Sequence, residues 1–442
     1  MMTSFKAISG QMRKLGASRI FFKSLANNDN TKQQIYLGSE FDVIRSIPSG
    51  EIYADGISKK GPIFKAPLDF YWMDEGGNVD RAPKSQIILY PKYPEIRMSG
   101  FLSGTNRKLD ITPRHLMQPP TLEERAERIG IHRYLVLGVN KTTTWAYCTS
   151  WEDELALELK QLVTENKANL VASVFYESMA VGKTSEEKLL DKLRAIYEDG
   201  PIESCRLQAD GTKIPYKAQN GGGYTLEAQF NITPNGFADP DFMDWELKAH
   251  SGSVVTLMTP EPNTGIYIQD GLKTFLDFYA TRKQKERLDF ASRHDVNKAN
   301  LKTNLTMYLE GYDSRLGKIT DPDGGLMLRD QFGKLAAGWS FDKVIEHWKR
   351  KHSNTCYVTY TANKNNTLPR YLYGPKVTLG QGTSLEHFLK ALHSCAIYYD
   401  PGINMKLEGD KWKPKKRSQF RVKWKDINQL YHSLRVLDLS KA

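Results

Sequence analysis

Between Arg19 and about Tyr147 the apolar residues fall in short runs separated by turn-forming residues: RIFFKSL, QQIYLG, EIYA, SQIILYP, RYLVLGV and TTTWAYCTS. Runs of this kind, rich in aromatic and β-branched residues, predict strands, and so many of them in succession predict a compact β-rich domain. Over 150–165, SWEDELALELKQLVTE, the apolar spacing lengthens to three or four, acidic residues fill the first turn, and Ser150 stands where an N-cap belongs. This predicts a helix that closes the domain. After a polar stretch, MAVGKTSEEK, the segment KLLDKLRAIYEDG repeats the helical spacing and ends at Gly200–Pro201, a pair that stops helices. The expected organisation is a β-rich domain over 1–165, a linker over 166–185 and a second domain over 186–442. In the second domain a strand-rich core from Gly222 to about Gln269 precedes a helical middle, where GLMLRDQFGKLAAGWSFDKVIEHWKRKH predicts a structural helix with a cationic end. No internal repeat is present.

Length and composition narrow the class. The chain has 442 residues, 40% of them apolar, enough for two or three separate cores. Its net charge of +11 draws phosphate-bearing partners, so nucleic acid is favoured, with an anionic membrane as the rival. The opening MMTSFKAISGQMRKLGASRIFF has no apolar core of signal-peptide length, and no run of about 18 apolar residues occurs anywhere. An intracellular, cytoplasmic location is expected. Cys148, Cys205, Cys356 and Cys395 lie far apart without the paired spacing of a structural zinc site, which predicts reduced, packed thiols.

The chemistry concentrates in GGGYTLEAQFNITPNGFADPDFMDWELKAHSGSVVTLMTPEP. If DWELK is extended, alternation puts Glu246 and Lys248 on one face while Trp245 and Leu247 point into the core. Phosphodiester hydrolysis needs an attacking water, stabilisation of charge on phosphate oxygens and protonation of the leaving oxygen, and a carboxylate-held magnesium ion serves the first two. Asp241 and Glu246 suit that task. Lys248 can orient or help deprotonate the water, aided by the lowered pKa that burial would give it. An isolated ExK arises by chance in any chain of this size, and surface strands carry such pairs. Here the flanks add a glycine-rich entry, TLE at Thr225–Glu227, PDF at Pro240–Phe242, an apolar strand after the lysine, and TPEP at Thr259–Pro262.

This ordered set resembles the MvaI/BcnI family of restriction endonucleases and, more distantly, MutH-type mismatch-repair nickases, over roughly residues 186–442. In that family's pattern a glutamate precedes the aspartate by fourteen positions and the ExK glutamate follows it by five, as Glu227, Asp241 and Glu246 do. The resemblance implies that Glu227 completes the metal site, that Asp241 and Glu246 are metal ligands, and that Lys248 is the catalytic lysine. Asp239 and Asp244 are lesser candidates, Asp244 being either a group behind the site or a solvated edge charge. His250 stays outside the catalytic set, since a histidine beside a site is more often a polar or phosphate contact.

In KLEGDKWKPKKRSQFRVKWK, Lys406–Lys425, cations are interleaved with Trp412, Phe420 and Trp424. Lys411, Lys415, Lys416 and Lys423 suit phosphates, whereas Arg417 and Arg421 can fork onto a guanine edge. A related basic segment in the resembling family carries recognition contacts. QFRVKW equally fits a half-buried strand with Phe420, Val422 and Trp424 inside and Arg421 and Lys423 merely solvated. In the first domain FFKSLANND, QQIYLG and TTTWAYCTSWEDE resemble the EcoRII-type effector domain, a DNA-binding pseudobarrel. The polar segment EIRMSGFLSGTNRKLDITPRHL, with Arg97, Arg107, Lys108 and Arg114, takes the position of its recognition arm.

The expected fold is thus an α/β restriction-endonuclease-like (MutH-like) catalytic domain preceded by a β-barrel domain. The expected function is magnesium-dependent, site-specific hydrolysis of double-stranded DNA. Together the two resemblances imply the target CCWGG, with the first domain binding a further copy. No organic cofactor and no membrane enter this reading, and a monomeric working form fits it, which would need two successive nicks. The alternatives are a MutH-like nickase and a non-catalytic DNA-binding regulator; magnesium-dependent cleavage separates the last at once.

Overall fold

The computed structural model describes residues 4–28, 33–38, 41–59, 61–91, 95–171, 174–178, 184–233, 241–351, 354–365 and 367–441. The chain divides into two compact units, Met1–Gly182 and Lys183–Ala442. No helix among the described residues is long and apolar enough to cross a membrane.

The first unit holds every strand expected from the pattern, arranged in two sheets. One has the order Ala168–Val171, Phe175–Ser178, Arg19–Leu25, Arg133–Val139, Thr143–Cys148, Asp69–Met73, Val79–Arg81, antiparallel except where Thr143–Cys148 runs parallel to Asp69–Met73. The other has the order Ile35–Gly38, Glu95–Ser99, Gln86–Tyr90, Gly61–Pro67, Tyr53–Ser58. No strand pairing among the described residues closes the two into one ring. Two strands of the first sheet, Ala168–Val171 and Phe175–Ser178, come from the stretch expected as a linker; Phe22 pairs with Tyr176, which ties this stretch to the unit's central strand. The expected closing helix is Glu154–Thr164, but its N-cap is Asp153 rather than Ser150, because Ser150 instead donates its N–H and hydroxyl to the Asp153 carboxylate. A helix absent from the sequence reading, Phe5–Lys14, is capped by Ser4 and buries Ile8 and Met12 beside Phe22, Val136, Leu155 and Leu159.

The second unit is built on a mixed sheet. Glu246–His250 runs parallel to Asn354–Asn363, which pairs antiparallel with Arg370–Gln381; Ile202–Glu203 and Ser433–Asp438 both pair with the far side of Arg370–Gln381. The strand Glu246–His250 is therefore an edge of this sheet among the described residues. Leu189, Leu193 and Ile196 of helix Ser185–Glu198 pack with Leu226, Phe230, Trp245, Leu247, Cys356, Val358 and Leu379 in one core. That helix carries a Thr184–Glu187 capping box and stops before Gly200, whose φ of +78° ends it.

Two expectations for the second unit do not hold. The middle is mostly strands: Arg282–Gln284, Arg287–Phe290, Ile403–Glu408 and Lys411–Lys415 form one antiparallel sheet, and Ala299–Asn300, Leu305–Glu310, Gly325–Asp330 and Leu335–Ser340 another. The segment expected as one helix from Gly325 is a hairpin followed by a helix, Phe341–Lys351. The hairpin turn forms because Asp330 Oδ1 accepts from the N–H groups of Phe332 and Lys334 while Gly333 adopts φ +81°. Cys148, Cys205, Cys356 and Cys395 are all unpaired thiols.

Candidate active site

The glycine-rich entry forms a helix, Gly221–Gln229, where the sequence reading expects strand. Its glycines serve close packing on a wall of tyrosines. A Cβ at Gly221 would lie 2.6 Å from Tyr371 Oη, and one at Gly222 would lie 2.5 Å from Tyr360 Cζ. The Tyr373 hydroxyl donates to Gly222 O at 2.6 Å, and Thr225 Oγ1 accepts from Cys205 N at 3.0 Å. These contacts fix the helix that carries Glu227, with Leu226 buried on one side of it and Ala228 on the other.

The strand Glu246–His250 begins after a tight reversal in which Phe242 and Trp245 exchange both backbone hydrogen bonds, with Met243 at φ +54°. The reversal breaks the alternation that would align Asp244 with Glu246; Asp244 accepts from Asn354 Nδ2 at 3.0 Å instead. Asp239 and Pro240 lie outside the described residues. From Trp245 onward the expected pattern is present, with Trp245 and Leu247 in the core. Asp241 is folded back onto the strand, its Oδ2 accepting from Leu247 N at 2.8 Å. Lys248 Nζ lies 2.5 Å from Glu246 Oε1, and the Glu246 side chain is only 2% exposed.

The electrostatics correct one expectation. Burial by itself depresses the Lys248 ammonium, but the Glu246, Asp241 and Glu227 carboxylates together raise it above the ordinary lysine range. Three carboxyl groups acting on one ammonium leave an excess of negative charge. The donors are hard oxygens, which suit magnesium, and Asp241 and Glu246 with backbone, water and phosphate oxygens would complete its shell. Among the described residues no group of three or more Asp, Glu, His or Cys side chains is placed to hold a metal by itself.

His250 is buried, and its ring lies over Trp424 with centroids 4.1 Å apart and planes at 32°. Burial depresses its pKa. It is a packing group rather than the polar or phosphate contact that its position in the sequence suggests.

The profile of the MvaI/BcnI restriction endonuclease family matches residues 190–431, which take in the helix of Glu227, the strand Glu246–His250 and the basic strands. This chain belongs to that family. It is accordingly a restriction endonuclease, a type II site-specific deoxyribonuclease. Among solved structures, restriction endonuclease MvaI in complex with its cognate DNA substrate is 16% identical, with 58% of this chain and 99% of that one covered and a TM-score of 0.46. MvaI in the absence of DNA is 14% identical over the same shares, with a TM-score of 0.33. No curated protein matches the chain.

The basic residues separate into several surfaces of this MvaI/BcnI-family chain. In the first unit Arg97 is held in its strand by Glu95 and Gln34. Arg107 and Lys108 stand exposed on a loop that buried Asp80 anchors through Asn106 N and Thr112 Oγ1, and Arg114 braces the same loop through Thr105. In the second unit Lys411, Lys415, Lys416, Arg417 and Lys423 are exposed, whereas Arg421 is half-buried with Nη1 2.6 Å from Asp400 Oδ2.

The sequence reading missed further cations that the sheet brings to the tail. Registers place Gln284, Arg287, Lys406 and Lys413 in one cross-strand row and Arg282, Asp289, Asn404 and Lys415 in the next on the same face, while Leu288, Met405 and Phe290 line the other. The run RKQKER over 282–287 was the available signal.

Proposed function

We propose that the chain hydrolyses both strands of duplex DNA at CCWGG in a magnesium-dependent reaction, with Asp241 and Glu246 as metal ligands, Glu227 completing their charge, and Lys248 acting on the attacking water. The observation that carries this reading is the Lys248 ammonium 2.5 Å from the Glu246 carboxylate with Asp241 folded back onto the same strand, a cluster to whose negative field Glu227 adds. When bound, the ion would supply Lewis acidity and an activated water. Glu246, clamped to Lys248, and Asp241, clamped to the strand backbone, are pre-positioned, so little ordering is left for the moment of binding. Lys248, held against Glu246, is placed to orient the attacking water by donating to it.

Sequence reading falls to the basic strands. Asp400 holds Arg421 in one orientation, which suits a guanidinium that forks onto guanine, while exposed Lys411, Lys415, Lys416, Arg417 and Lys423 and the row of Arg287, Lys406 and Lys413 suit phosphates. The first unit is read as a second DNA reader of the pseudobarrel class that works through the anchored Arg107–Lys108 loop, with Arg97 and Arg114 behind it.

Mapping the ends produced from a sequenced plasmid with magnesium tests the proposal: cuts confined to CCWGG are expected, and cuts elsewhere or in one strand only would refute the target or the double-strand outcome. A gel shift of a fragment spanning 1–182 on CCWGG and scrambled duplexes at moderate salt tests the second reader, since low salt inflates nonspecific affinity. Equal affinity for the two would leave that unit a scaffold or a nonspecific clamp.

A further inference from the structure

Alternation puts Glu246, Lys248 and His250 on one face of their strand, and on that face the last of the three is packed into rings rather than exposed to solvent. Trp424 covers His250 at 4.1 Å and meets Tyr357 edge-on at 5.3 Å. Tyr357 is the cross-strand neighbour of Lys248, and Thr355 that of Glu246. The Tyr357 and Tyr431 hydroxyls are 2.8 Å apart, and Tyr431 Oη donates to Thr355 Oγ1 at 2.9 Å. The cluster of His250, Trp424, Tyr357 and Tyr431 therefore lies directly against the two positions that carry the chemistry.

Trp424 also immediately follows the strand Phe420–Lys423, which presents Arg421. Its N–H donates at 2.7 Å to the carbonyl of Ser253, in the turn by which the chain leaves the catalytic strand for Val254–Met258, the antiparallel partner of Phe420–Lys423. One residue thus ends the Arg421 strand, pins the exit of the catalytic strand and stacks on its last side chain. Among the described residues His250 Nε2 is buried without a hydrogen-bond partner, and Nδ1 lies 3.4 Å from Gly252 O.

We infer that His250 and Trp424 are positioning residues whose stack holds the catalytic strand in register with the Arg421 strand, so that cleavage depends on the rings far more than binding does. The inference rests on the reading of Glu246 and Lys248 as the catalytic pair. A half-buried tryptophan stacked on a buried histidine and braced by Tyr357 has few alternative packings, so a shift of one strand moves the other instead of being absorbed.

The test uses the full chain and four ring variants. His250→Phe and Trp424→Phe keep a ring; His250→Ala and Trp424→Leu remove it, the leucine retaining apolar volume so that folding survives. Each is assayed for single-turnover cleavage of a cognate duplex with magnesium, for affinity for the same duplex with calcium, and for melting temperature. The phenylalanine variants are expected to cleave near the wild-type rate. The ring-less variants should fall about 10- to 100-fold, the scale of an ångström-sized misplacement, with affinity nearly unchanged. Equal losses in His250→Phe and His250→Ala would overturn the inference by assigning a role to the imidazole nitrogens. A fall in affinity matching the fall in rate would overturn it too, by making the rings part of DNA binding. Lys248→Ala run alongside keeps the two readings apart: full cleavage in that variant refutes the catalytic pair, whatever the ring variants do.

Discussion

Gly222→Ala sets two known effects against each other, and the structure decides between them. Alanine in place of glycine in a helix contributes at most about 1 kcal/mol, less near a helix start. At Gly222 the added Cβ would stand 2.5 Å from Tyr360 Cζ, 2.8 Å from its Oη and 2.9 Å from Cε1. Carbon atoms rest about 3.5–4.0 Å apart, so the helix or the ring must give by about 1 Å. The ring cannot give readily, because Tyr371 and Tyr373 flank it with centroids at 5.3 and 5.9 Å. Overpacking of this kind costs about 1–3 kcal/mol, which outweighs the helical gain. Gly223, next along the helix, has nothing within 4 Å of its would-be Cβ, so Gly223→Ala keeps the gain alone. Thermal unfolding should therefore move in opposite directions, by about 2–4 °C for each kcal/mol in a domain of this size. Gly222→Ala should also slow plasmid cleavage, since the helix that retreats carries Glu227. A Gly222→Ala melting temperature at or above that of Gly223→Ala would refute the packing argument.

Lys248→Ala is expected to abolish cleavage while leaving specific binding nearly intact, and unchanged plasmid cleavage would sink the assigned site. Calcium in place of magnesium should permit a gel shift with little cutting, because its looser shell activates water less well. Arg421→Ala should lose discrimination at one guanine, by about 1–3 kcal/mol, whereas Lys415→Ala should weaken all sequences alike and flatten the salt dependence; equal losses on specific and random duplexes in Arg421→Ala would make that residue a phosphate contact. His294 is fully buried and burial pushes its pKa down to about 4, with Nε2 3.0 Å from Thr303 Oγ1. Because the folded value lies below the ordinary one near 6.5, stability should be full above that pH and fall as pH drops toward 4, by on the order of 3 kcal/mol. Urea titrations between pH 7 and 4.5 check this, and the slope should flatten in His294→Gln.

The parts of the site that depend on a two-residue period were readable directly. Trp245 and Leu247 point inward and Glu246 and Lys248 away from them because that is what a strand does with this pattern. Glu227 was placed by its resemblance to a family pattern, while its helix was hidden: three consecutive glycines argue against helix on propensity, and only the tyrosine wall shows why they are tolerated. The direction of the Lys248 shift is hidden for a related reason, since burial is suggested by local sequence but which carboxylates act on the ammonium depends on how distant segments meet. The apolar run from Gly325 suits either period, so the pattern predicts a helix where a hairpin forms; Asp330 and Gly333, which decide for a turn, lie inside that run. The partners of the basic tail needed strand pairing over more than a hundred residues, from Arg287 to Lys406.

Asp241 occupies a second role by virtue of where the catalytic strand sits. An outermost strand offers its unpaired amides to any other extended chain, and proteins commonly block that invitation. By taking up Leu247 N, the Asp241 carboxylate occupies an amide of a strand that is an edge among the described residues. Losing it would open that amide to self-association, beyond any effect on cleavage. Asp241→Ala should therefore be more prone than Lys248→Ala to light scattering at high concentration, while Asp241→Asn, whose amide oxygen still accepts, should remain dispersed although inactive.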